Sequence, residues 1–163
     1  MMMLRITVIF LWTGLGVIQA AESVNQTIIG TNPSLSAGAH ALRTGNFDEG
    51  LTLTLDGLNF ALTLRDRASA FSNLCAGYLG TRQFVKAMEA CDKALEINDQ
   101  NWRIYNNRAL ALLNLGRIVA ARDDLEKGLA LNPNSLSLAK VAGLIDTQGR
   151  SRVVAIDRGI ENH

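Results

Sequence analysis

FSNLCAGYLGTRQFVKAMEACDKALEI, residues 71–97, returns in outline thirty-four positions later as YNNRALALLNLGRIVAARDDLEKGLAL, residues 105–131. In the first copy Leu74, Cys75 and Tyr78 follow Phe71 at offsets of three, four and seven, which places all four on one helical face. Phe84, Ala87, Cys91 and Ala94 then mark a second helix, with small residues three and seven places beyond the aromatic one. The second copy repeats the layout as Tyr105, Arg108, Ala109, Leu112, Ile118, Ala121, Leu125 and Gly128. Asn132-Pro133 closes it, because proline cannot continue the helix; Asn98-Asp99 stands at the equivalent place one period earlier.

A helix–turn–helix unit of about 34 residues with small residues at the helix contacts resembles the tetratricopeptide repeat family. The resemblance covers residues 31–148 and implies an all-α fold, a helical-hairpin repeat array of about three units plus a final capping helix. Residues 68–101 and 102–135 are assigned as repeats and 31–67 as a divergent one, with Gly38, Gly45-Asn46-Phe47, Gly50 and Gly57 at the expected positions. Phe47 to Phe84 is 37 residues, so three extra residues precede the second unit. Residues 136–148 read as the capping helix and 149–163 as a C-terminal tail. Leu51-Thr52-Leu53-Thr54-Leu55 alternates with the period of a strand, but an isolated strand would have no sheet to join, so the repeat register predicts helix there. Roughly three stacked units are the minimum for a stable array, and this chain has little to spare.

The composition agrees. Hydrophobic residues make up 48% of the 163 positions, aromatics only 6%, and prolines number two, which favours packed helices over a β-sandwich or a disordered chain. The formal charge is +1, from 16 basic and 15 acidic residues, so no basic excess exists to neutralise nucleic-acid phosphates. The N-terminus reads as a signal peptide, residues 1–20. Arg5 opens an apolar run from Ile6 to Ile18, and Ile18-Gln19-Ala20 predicts cleavage before Ala21. Thirteen helical residues would span roughly 20 Å, short of a ~30 Å hydrocarbon core. The expected location is therefore outside the cytoplasm, periplasmic for a Gram-negative source and otherwise secreted, with no membrane span after cleavage. Residues 21–30 form an aperiodic lead-in. Asn25-Gln26-Thr27 matches a glycosylation sequon, which matters only in a eukaryotic secretory pathway.

The parts of an enzyme are missing. His40 and His163 have no evident nucleophile partner, and no phosphate-binding loop is present. Asp123, Asp124 and Glu126 cluster on a helix but spread over adjacent faces, and two cysteines without a neighbouring histidine make a poor zinc site. No metal or cofactor is expected. Cys75 and Cys91 instead occupy unit positions 8 and 24 on antiparallel helices, where an oxidising compartment would let them form a disulfide. Arg108 stands where the family usually has an apolar residue, and Asp124 lies across the turn as its partner in a structural ion pair; such a pair, if exposed, is worth at most ~1 kcal/mol.

The stripe opposite the buried residues of each first helix can line a concave face. It comprises Ser69, Ser72 and Asn73 with Ala76 in one unit, then Arg103, Asn106 and Asn107 with Leu110 in the next, and Lys140 beyond. Asparagine both donates and accepts, which suits an extended peptide backbone, and Arg103 and Lys140 offer charge to a carboxylate. Asn73 and Arg103 resemble the family's carboxylate-clamp grooves, whereas the first unit departs from them, with Leu35 and Ala39 where lysine and asparagine would stand. The leading expectation is an exported protein–protein interaction module, an adaptor or assembly factor gripping a protein or peptide segment. The alternative is a self-associating structural spacer in an envelope complex.

Overall fold

The computed structural model describes residues 32–160, so the expected signal peptide and the whole lead-in lie outside the described residues. Seven helices follow in order: α1 Pro33–Arg43, α2 Phe47–Asn59, α3 Leu64–Gly80, α4 Phe84–Ile97, α5 Trp102–Asn114, α6 Ile118–Leu131 and α7 Leu136–Ile160. Among the described residues there is no strand, and no helix is long and apolar enough to cross a membrane.

Local chemistry sets the boundaries. Asn32 caps α1 through Oδ1, which accepts from the backbone N–H of Ser34 and Leu35 at 3.1 and 3.3 Å, and Pro33 follows where its missing N–H is harmless. Thr63 caps α3 by accepting from the Asp66 N–H at 3.0 Å, while its hydroxyl donates to the Asp66 carboxylate at 2.9 Å. Asn101 caps α5 through Oδ1, which accepts from the Arg103 N–H at 3.1 Å. Inside each hairpin the turn passes through one left-handed residue: Gly45 (φ 84°), Arg82 (φ 61°) and Gly116 (φ 72°). Glycine adopts that conformation without a Cβ penalty; Arg82 adopts it against one.

α2 is a helix across the Leu51–Leu55 alternation. Leu51 and Thr54 turn inward while Thr52 and Leu55 turn outward, a helical rather than an alternating division. The buried Thr54 hydroxyl donates to the Gly50 carbonyl at 2.6 Å, which satisfies it within the helix. Gly57 lets α1 approach closely, since a Cβ there would fall 2.6 Å from a Leu35 methyl and 3.0 Å from the Leu35 backbone nitrogen.

The hairpins α1–α2, α3–α4 and α5–α6 stack in chain order, with α7 closing the far end on α5 and α6. The first helices of successive units also touch one another, α1 to α3, α3 to α5 and α5 to α7, whereas α2, α4 and α6 meet only their sequence neighbours. That asymmetry curves the array and puts α1, α3, α5 and α7 on its inner side. The small residues set by the repeat, Cys75, Ala87, Cys91, Ala94, Ala109 and Ala121, are all fully buried.

Two elements differ from the sequence reading. α3 has 17 residues against 13 in α5, four more at its N-terminus, while α2 has 13 against 14 in α4, which together give the excess of three over the period. The capping helix does not stop at Gln148; α7 runs on through Gly149 to Ile160, 25 residues in one helix. Glycine lowers helix propensity without breaking a hydrogen bond, so Gly149 alone does not end it.

Candidate peptide-binding groove

The inner side displays Ser72 and Asn73 from α3, Arg103 and Asn107 from α5, and Lys140 from α7; Lys140 is exposed and the others are half-buried. Two of the expected residues do not belong to this surface. Ser69 is only 6% exposed and its hydroxyl donates to the Arg65 carbonyl at 2.9 Å. Asn106 is 8% exposed, donates through Nδ2 to Asn107 Oδ1 at 3.2 Å, and buries an Oδ1 that has no hydrogen-bond partner. Both were read as exposed because helical spacing gives an angle around the axis, not how closely the next helix approaches.

Asn73 has a structural tie as well. Its Nδ2 donates to the Leu35 carbonyl at 3.2 Å, fastening α3 to α1. Leu35 and Ala39, where a clamp would hold polar groups, are 2% and 4% exposed and fill the core. The guanidinium of Arg103 lies over the Trp102 ring, 4.6 Å from its centre, and burial pushes its pKa below the ordinary arginine value. Leu144, 48% exposed, stands one period after Leu110, which stands one period after Ala76. Carrying the repeat register into α7 would have found this apolar position.

Behind the groove, Cys75 on α3 and Cys91 on α4 are joined, with Sγ atoms 2.01 Å and Cα atoms 5.0 Å apart and both side chains fully buried. In the next unit Arg108 donates through Nε and Nη2 to both oxygens of Asp124, at 2.8 and 2.6 Å. It also reaches back to Asp92 of α4 through Nη1 at 2.6 Å. The expected ion pair is present, and it is not an exposed one, because the Asp124 side chain is only 3% exposed. Asp92 was missed; it lies sixteen positions before Arg108, as Asp124 lies sixteen after. The hydrogen bonds that Arg108 donates to Asp124, supported by the one to Asp92, outweigh burial and hold its guanidinium above the ordinary arginine pKa. Among the described residues no cluster of His, Cys, Asp and Glu could hold a metal ion.

Residues 90–123 match the tetratricopeptide repeat family. The architecture is an all-α array of helical hairpins, like that of tetratricopeptide proteins. A human protein, FK506-binding protein-like, is 27% identical over 128 residues, which is 76% of this chain and 37% of that protein, so the chain spans little more than a third of this relative. A tetratricopeptide-like protein from Chlorobium tepidum superposes with a TM-score of 0.66 at 20% identity, covering 76% of this chain and 96% of that one. The second repeat domain of human RPAP3, solved in complex with the HSP70 peptide SGPTIEEVD, superposes at 0.60 with 19% identity, covering 69% and 92%. These structural likenesses concern the fold.

Proposed function

We propose that this chain is an exported interaction module that holds a segment of another polypeptide along α3, α5 and α7. The observation that carries the reading is the groove's make-up. Half-buried Asn73, Asn107 and Arg103 and exposed Lys140 lie on the helices that line the inner side, and Leu110 and Leu144 add apolar positions at the repeat spacing. Amides can bridge to an extended backbone, and two cations can receive a carboxylate. The human RPAP3 domain, of the same fold, holds the acidic HSP70 peptide SGPTIEEVD, which supports a peptide as the ligand class. Here the first unit supplies buried Leu35 and Ala39 instead of polar clamp groups, so an internal segment carrying one acidic side chain fits better than a free C-terminus. Export rests on the Arg5 and Ile6–Ile18 pattern and on the Cys75–Cys91 pairing, which an oxidising compartment preserves.

The test is a pull-down from the native compartment with the wild-type chain and with Arg103→Ala/Asn107→Ala, circular dichroism confirming that the variant stays helical. Loss of the captured partner in the variant supports the groove. A partner retained at equal yield moves binding to the outer helices or to the end of α7. N-terminal sequencing of the protein from its own host decides export: Ala21 as first residue supports it, and an intact Met1 refutes it.

A further inference from the structure

Three linkers join successive units along one edge of the array, and two of them are polar: Asn98-Asp99-Gln100-Asn101 and Asn132-Pro133-Asn134-Ser135. The third, between α2 and α3, reads Phe60-Ala61-Leu62-Thr63 and runs into Leu64. Phe60, Leu62 and Leu64 are 74%, 94% and 71% exposed, three large apolar side chains within five residues. Leu64 begins the additional turn of α3, so part of this patch lies where the repeat period is exceeded. Beside it is a pocket of about 400 Å³, lined by Phe60, Leu62, Asp66 and, from the start of α1, Asn32, Pro33 and Ser34.

The chain therefore enters the fold at the rim of this pocket. Asn32 fixes the entry point, because its Nδ2 donates to the Gly57 carbonyl at 2.8 Å and pins the start of α1 to the last turn of α2, next to Phe60. Thr27-Ile28-Ile29-Gly30 lies just upstream, with two consecutive isoleucines three and four residues before Asn32. A fully extended chain covers about 3.3–3.6 Å per residue, so three or four residues span at most ~10–14 Å, within reach of the pocket. A short tether also gives them an effective concentration in the millimolar range, which an independent partner would have to match.

We propose that residues 27–30 of this same chain are the occupant, with Ile28 and Ile29 covering Phe60 and Leu62. The patch is apolar at this linker because this linker is the one beside the incoming chain. The proposal is independent of the groove on α3, α5 and α7.

The experiment places photoreactive p-benzoylphenylalanine at position 62 of the otherwise native chain, as its host processes it; so exposed a position tolerates the change. Irradiation at two concentrations a hundredfold apart is followed by peptide mapping. The expected result is an intrachain link to residues 26–31 whose yield does not change on dilution. Links between two chains that fade on dilution would assign the patch to a second copy and overturn the proposal, as would links confined to the pocket's own residues. In a second arm, Ile28→Asp/Ile29→Asp should raise the fluorescence of an apolar-surface dye severalfold, and adding Leu62→Ser should reverse most of that rise. An unchanged signal in the Asp variant would also overturn it.

Discussion

Arg108 and Asp124 make a two-pronged ion pair between α5 and α6, at 2.8 and 2.6 Å, with the arginine side chain 20% and the aspartate 3% exposed. A carboxylate so buried depends on its counterion far more than a surface one does. Arg108→Ala is therefore expected to lower stability by about 3–5 kcal/mol, since it strands Asp124. Asp92→Ala, at a side chain 47% exposed, is expected to lower it by ~1 kcal/mol or less. Arg108→Leu/Asp124→Leu should recover most of the loss, because an apolar pair of similar volume avoids the stranded charge. Urea unfolding of the three variants checks the order.

The left-handed turn residues give a second comparison. Gly116→Ala should cost about 1 kcal/mol, because a Cβ at φ 72° meets the steric penalty that Gly116 escapes. Arg82→Gly should gain up to ~1 kcal/mol by removing that penalty, reduced by the greater freedom of glycine in the unfolded chain and by the lost Arg82–Phe84 ring contact. Thermal melts of both variants beside wild type test the opposite signs.

Helical glycines separate in the same manner. Gly57→Ala should destabilise by about 1–3 kcal/mol, since the new methyl would meet both the side chain and the backbone of Leu35. Gly143→Ala, on exposed α7 with nothing near the added Cβ, should stabilise by ~0.5–1 kcal/mol. A finding that both changes act alike would contradict the packing of α1 against α2.

The Cys75–Cys91 bridge closes a loop of sequence separation 16. Its loss should cost about 3 kcal/mol through the freedom returned to the unfolded chain. Denaturation of wild type and of Cys75→Ala/Cys91→Ala, with and without reductant, measures this. Reductant should shift the midpoint of the wild type alone.

The helical register was legible because the repeat states it twice. Phe71 and Tyr105, Ala87 and Ala121, and Cys75 and Ala109 pair off at one period and fix both helices of each unit. The Cys75–Cys91 and Arg108–Asp124 juxtapositions followed from the antiparallel geometry of a hairpin, which sequence spacing determines. Less was legible between units. Asp92 reaches Arg108 from the preceding hairpin, and the burial of Ser69 and Asn106 depends on how closely neighbouring helices approach. Both are properties of stacking, which a periodic pattern does not encode. The end of α7 escaped for another reason: Gly149 looks like a terminator in sequence, yet nothing in the backbone compels one there.

The bridge also has a mechanical consequence. Pulled from its two ends, the oxidised chain cannot release the sixteen peptide steps between Cys75 and Cys91, roughly 55 Å of contour. Tension would bypass that loop through the sulfurs, whose Cα atoms are 5.0 Å apart, so the fully stretched molecule would be about 50 Å shorter oxidised than reduced. The unravelling of either flank could proceed, but the chain between the two sulfurs would carry no load.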